Sequence, residues 1–153
     1  MMGYMESVIF FVFLIVASFL FAKVEIAIEG PNGWAANLPT WKKTGDHILS
    51  RLFWGGRPAT GYHLWITLFI LFLIHLVFIF LPWTLLIELK LISFIILFFT
   101  LEDFLWFILN PAFGLKNFRK EKIWWHEKRW FWIAPIEYFF ALPIGLIIYY
   151  LTL

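Results

Sequence analysis

The sequence predicts an all-α fold: an integral membrane bundle of four transmembrane helices, with a short interfacial amphipathic helix in the first long loop. Three observations carry that expectation. Of 153 residues, 63% are hydrophobic and 14% are charged, whereas soluble domains run roughly 45–50% apolar and about 25% charged. Four stretches are long and apolar enough to match the roughly 20 residues that cover a bilayer core. The cations collect in the two long segments between those stretches. A water-soluble domain of this size leaves much of its surface exposed and cannot hide so much apolar side chain. The chain, 1–153, therefore reads as a single membrane domain.

The first span covers about 7–29 and ends at Gly30-Pro31. It lacks a positive leading region, and its apolar stretch exceeds the ~7–15 residues of a signal-peptide core, so it reads as a retained span. The second covers about 62–81 and is broken by Pro82 and Trp83. The third covers about 84–109 and ends at Asn110-Pro111. The fourth covers about 132–153. So short a break between the second and third makes them an antiparallel hairpin, which puts loops 30–61 and 110–131 on one side of the membrane.

Those loops carry Lys42, Lys43, Arg51, Arg57, Lys116, Arg119, Lys120, Lys122, Lys128 and Arg129, ten of the 12 Lys and Arg. Lys23 and Lys90 lie within spans. Short cytoplasmic loops are enriched in Lys and Arg, so the expectation is a multi-pass protein with cytoplasmic loops and both termini outside.

In the first loop, Pro, Gly and Asn mark turns. Between Thr44 and Trp54 an amphipathic helix is expected, capped by Thr44 or Asp46, with Ile48, Leu49, Leu52, Phe53 and Trp54 toward lipid. In Gly55-Gly56-Arg57-Pro58 an Arg beside a Gly pair suits an anionic headgroup. The stretch 110–130 is basic and aromatic, which below a bilayer matches anionic headgroups; its Trp content and short tether argue against nucleic acid. The absence of Cys excludes disulfides, thiolate catalysis, iron–sulfur clusters and Cys-ligated zinc.

Charged residues inside spans are expensive and need a reason. Glu25 and Glu29 stand one turn apart on one helix face, which Ser18 and Ala22 continue. That stripe of small and acidic residues should face the bundle. Glu102 and Asp103 lie near the end of the third span, as Glu25 and Glu29 do in the first. There the helix dipole disfavours carboxylates by about 0.3–1 kcal/mol each, so a metal ion, an Arg or Lys, or a proton must compensate.

His63, His126, Glu137 and Tyr138 are expected at the same depth, as are Arg57 and Trp106. The sharper reading is an enzyme acting on a lipid-like substrate. In it Glu25, Glu29, Glu102 and Asp103 are catalytic, and Arg57, Trp106, Glu137 and Tyr138 bind substrate. A divalent metal ion is the candidate cofactor, held by Glu25, Glu29, Glu102, His63 and His126 through carboxylate oxygens and imidazole nitrogens. The chain has neither HExxH nor Glu-x-x-His. The plainer reading is a non-enzymatic subunit or scaffold whose acids form ion pairs, some with Arg57, Lys42 or Lys43. A third is a small proton-coupled carrier using His75, Glu88 and Glu102. The expected partners are the lipid bilayer with its anionic headgroups, a second copy of the chain or another membrane protein, and no nucleic acid.

Overall fold

The computed structural model of the chain describes residues 2–153, apart from the side chains at positions 2, 3, 49, 52 and 53. It is mostly helical. The long helices are α1 (Met2–Glu29), α3 (Gly61–His75, continued by a 3₁₀ turn over Leu76–Ile79), α4 (Leu85–Leu109) and α5 (Ile136–Tyr150). A short α2 (Ile48–Phe53) lies in the first loop. Two ribbons of two-residue strands complete the chain: β1 (Lys42–Lys43) with β2 (Ala59–Thr60), and β3 (Trp130–Phe131) with β4 (Ala134–Pro135), both antiparallel.

Three stretches are long and apolar enough to cross a membrane: Tyr4–Glu29, Gly61–Ile79 and Leu85–Leu109. The fourth differs from the expected 132–153. Trp130 to Pro135 are used in the second ribbon, with Trp132 at φ 50°. The helix therefore starts only at Ile136, and Pro143 lies inside it. Its 15 residues rise about 22 Å at about 1.5 Å each, short of the roughly 30 Å of a hydrocarbon core.

α4 is the central helix. α1 runs parallel to it: Ser18 Oγ donates to Phe98 O at 3.3 Å, and Phe10 meets Phe94 edge to face. The predicted inward stripe is buried, with Ser18 and Ala22 fully covered and Glu25 and Glu29 nearly so. α5 runs antiparallel to α4. Ser93 Oγ donates to Gly145 O at 2.8 Å, and a Cβ on Gly145 would stand 2.7 Å from Leu97 Cγ. In lipid, where helices gain nothing from hiding apolar surface, such close small-residue packing is what joins them. Gly145→Val should force α5 off α4 and cost about 1–3 kcal/mol. A sodium dodecyl sulfate unfolding titration checks this, and an unchanged midpoint would refute it.

Capping fixes the helix ends. The Thr84 hydroxyl accepts from Ile87 N at 3.2 Å at the start of α4, and Thr60 does the same for His63 N at 3.1 Å at the start of α3. Buried Asn110 closes α4: its Oδ1 accepts from Ala112 N, and its Nδ2 donates to Gly30 O at 3.0 Å, tying the end of α4 to the end of α1.

The first loop is more folded than a surface anchor. The β1–β2 ribbon returns the chain so that Gly61 N donates to Trp41 O at 2.9 Å. A Cβ on Gly45 would stand 2.1 Å from Gly56 O, so the two limbs touch backbone to backbone. The expected amphipathic helix shrinks to six residues. Ile48 is exposed as expected, and Leu49, Leu52 and Phe53 have side chains outside the described residues. Trp54 overturns the expectation, because it is buried inward. The second loop is three short 3₁₀ turns around an aromatic core of Trp106, Phe107, Phe113, Phe118 and Trp125.

Candidate functional site

A cavity of about 450 Å³ opens at the loop end of the bundle, between α1, α3, α4 and α5 and under the two loops. Its polar end is lined by Glu25, Glu29, Arg57, His63, Glu102, Asp103, Trp106, His126, Glu137 and Tyr138. Every residue nominated for the enzyme site thus borders the same space, whereas His75 and Glu88 do not. Three more indoles, from Trp34, Trp54 and Trp125, join them. The other wall is apolar: Ile66, Leu68 and Leu71 of α3 face Ile95, Ile96 and Phe99 of α4.

Glu29, at the last position of α1, accepts the Ala35 N–H at 2.6 Å. This carboxylate holds a left-handed turn in which Gly33, Trp34 and Ala35 all have positive φ, at 60°, 48° and 51°. A left-handed non-glycine residue costs roughly 1–2 kcal/mol, so the turn persists because its side chains are gripped. Trp34 Nε1 donates to Pro58 O at 2.7 Å, its ring stacks on His63 with centroids 4.1 Å apart, and the Arg57 guanidinium lies 4.7 Å above it. His63 Nε2 stands 3.4 Å from Glu29, and Nδ1 meets the Thr60 hydroxyl at 2.7 Å. An ionised carboxylate only accepts, so Nε2 carries the ring proton when Glu29 is charged.

On the other side, buried His126 sits at the centre of a second group. Its Nε2 lies 3.5 Å from Asp103 and 3.4 Å from Arg57 Nη1, and its Nδ1 lies 4.0 Å from Glu137. The Tyr138 hydroxyl donates to Asp103, and Arg129 Nε donates to Glu137. Arg57 is held by Trp54 O at 3.2 Å as well as by His126. The expected pairing of Glu25 or Glu29 with Arg57, Lys42 or Lys43 is replaced: Lys42 Nζ donates to Ala36 O, and the acids find histidines, Tyr62 and Arg129.

Glu25 and Glu102 remain. The two carboxyls are close enough to interact electrostatically, and Tyr62 donates to Glu25 at 3.2 Å. Among the described residues no Lys, Arg or His lies within ion-pair distance of either. Glu102 Oε1 and Trp106 Nε1 are buried without a hydrogen-bond partner. Buried polar atoms are nearly always satisfied, so these two orphans face the cavity as unmet donors and acceptors.

The metal expectation fares differently. Among the described residues, no three His, Asp or Glu side chains form a group that would hold a metal ion. Glu25, Glu29, Glu102, His63 and His126 share a cavity but not a point. His63 is spent on Thr60 and Glu29, and His126 Nε2 on Asp103 and Arg57, while His126 Nδ1 and the Glu137 Oε2 it faces at 4.0 Å are buried without a hydrogen-bond partner. The residues that sequence reasoning missed are Trp34, Trp54, Tyr62 and Trp125. Tyr62, next to His63, and Trp125, next to His126, carried a local signal.

At the opposite end, His75 Nε2 lies 3.1 Å from Glu88, which also accepts from Trp83 Nε1 at 3.1 Å, so this group closes the α3–α4 turn. Between it and Glu102 the cavity wall is apolar apart from Thr67 and Thr100, and Thr100 is bonded to Ile96 O.

The fold and the site define a class: a membrane-type helical bundle with a polar, half-enclosed cavity at one end. The chain itself matches no known protein family, no curated protein and no solved structure.

Proposed function

We propose that the chain crosses the membrane four times and takes a lipid-like amphiphile into its cavity, working on the polar end by acid–base chemistry at Glu25 and Glu102. The observation that carries this reading is the cavity's polarity gradient. Apolar walls on α3 and α4 lead to two buried carboxyls with no cationic partner and an unmet oxygen on Glu102. Two adjoining carboxyls sharing one proton supply an acid and a base together.

Several features support the membrane part. Tyr138 at the start of α5 meets Asp103, and Tyr149 near its end donates to Ser7 at 2.8 Å, so α5 reaches the levels of both ends of the bundle. Exposed Trp41, Trp65, Trp124 and Trp132 gather at the loop end and Trp83 at the other, as interfacial belts do. The cations of loops 30–61 and 110–131 support a cytoplasmic loop side, with both termini outside. In the second loop Lys116, Arg119, Lys120, Lys122 and Lys128 are exposed, suited to anionic headgroups.

The test is lipid retention. Wild-type protein washed in detergent should keep one amphiphile at near-equimolar amount, read by mass spectrometry. Leu71→Trp, which fills the apolar wall, should lose it while keeping its helical circular dichroism. Equal retention by both, or none by the wild type, would end this reading. A second reading, the structural clasp, is favoured by three carboxylate contacts that join separate elements: Glu29 with His63, Asp103 with His126, and Glu137 with Arg129.

A further inference from the structure

We infer that the head the site recognises is positively charged: an ammonium on a long-chain amphiphile, seated between Glu25 and Glu102. This rests on the amphiphile reading above and names its substrate class.

The charge inventory is lopsided. Five carboxyl groups border the cavity, against Arg57 as the one lining residue with a permanent positive charge. Three carboxyls are already matched within the fold: Glu29 by His63 and the Ala35 amide, Asp103 by His126 and Tyr138, and Glu137 by Arg129. Arg57 is turned toward His126, Trp54 O and the Trp34 ring. The carboxyls without a cationic partner among the described residues are Glu25, which accepts from Tyr62, and Glu102; they are 9% and 5% exposed, and Glu102 Oε1 has no partner. Two carboxylates in contact repel unless a proton or a cation lies between them.

The cation's chemistry follows from what surrounds the pair. Among the described residues no third His, Asp or Glu converges on the pair to complete a metal-binding group. An ammonium needs only acceptors, one per N–H, and it tolerates an apolar approach. Phe99 and Ile95 lie one and two turns below Glu102 on α4, facing Leu71 of α3. At about 1.5 Å per residue that wall extends about 10 Å into the bundle. It fits the first carbons of an alkyl chain, with the ammonium at the carboxyl pair. An anionic head in the same place would meet Glu25 and Glu102 with no cation to offset them.

The test uses the full chain in dodecyl maltoside micelles, titrated with hexadecylamine, hexadecanol or hexadecyl phosphate at matched mole fractions. Binding is read from tryptophan fluorescence, since Trp34, Trp106 and Trp125 line the cavity. Hexadecylamine should half-saturate at a mole fraction at least tenfold lower than hexadecanol, with no saturable response to the phosphate. In the Glu25→Gln, Glu102→Gln double variant, the amine and alcohol should differ by less than twofold. Glu88→Gln, at the far end, should behave as wild type. Equal binding of amine and alcohol by the wild type, or preference for the phosphate, would overturn the ammonium assignment and leave the amphiphile reading standing. Saturation by none of the three would overturn both. Displacement of bound hexadecylamine by stoichiometric Zn²⁺ or Mn²⁺ would overturn it in favour of a metal. If the double variant does not fold, the wild-type comparison of three ligands still decides.

Discussion

Gly33→Ala is expected to cost about 2–5 kcal/mol, from left-handed strain and overpacking together, and to disorder the rim of the cavity. Two independent penalties meet at this residue. Its φ is 60°, where an L side chain is strained. The new methyl would also stand 2.7 Å from Trp125 Cη2 and 2.8 Å from Trp106 Cη2. Both rings border the cavity on one side but are gripped by aromatic neighbours on the others. Trp106 and Trp125 are 4% and 5% exposed and meet edge to face, and Trp125 stacks on Phe107 with centroids 5.9 Å apart. Overpacking a fixed core typically costs about 1–3 kcal/mol. The site should suffer with the fold, because Gly33 begins the turn that sets Trp34 against His63 and Ala35 against Glu29. Thermal unfolding followed by tryptophan fluorescence checks the stability loss. A melting temperature within a degree of wild type would show that the two rings are not held as described.

His126→Ala should cost about 3 kcal/mol, the lower end of what breaking a buried charged contact costs. The ring is 1% exposed and stands between Asp103, Glu137 and Arg57. Its removal leaves Asp103 with Tyr138 but without its nearest ring nitrogen, and opens a void beside Phe107. Adding Asp103→Asn should recover about 1–2 kcal/mol, because residues sharing one network couple rather than add. A denaturant series on the single variants and the double variant measures that coupling. Strict additivity would mean that His126 and Asp103 do not interact in the folded protein. A large coupling with unchanged amphiphile retention would assign this half of the cavity to the clasp and leave the chemistry to Glu25 and Glu102.

The spacing of acids along α1 was readable because helical geometry is periodic: Ser18, Ala22, Glu25 and Glu29 must share a face, and that face is buried. Hairpin logic also placed His63, Glu102 and Glu137 at one end without any contact information. The finer pairing was not readable. Nothing local says that Glu29 takes the Ala35 amide rather than Lys42, because that choice depends on a left-handed turn held by Pro58, 24 residues beyond Trp34. Trp54 misled for a similar reason. The apolar run groups it with Ile48 toward lipid, but six residues at about 100° each set it roughly 120° away from Ile48 on a helical wheel, and the β1–β2 ribbon folds the loop back and carries it into the interior.

By itself, then, the sequence determined the apolar helices and the polarity. Runs of apolar residues fix three helices long enough to cross a bilayer, and the expense of charge in lipid concentrates the acids at one end, where loops can reach them. Only the tertiary structure decided how the acids divide. Glu29 and Asp103 are matched by residues distant in the chain and Glu137 by Arg129, eight positions before it, while Glu25 and Glu102 are left together beside an apolar wall. The physical reason is one of range. Hydropathy and helical period are properties of neighbours along the chain. Polar pairing acts over a few ångströms in space, and much of it here is set by loops that return before they meet, as between Glu25 and Tyr62, 37 residues apart.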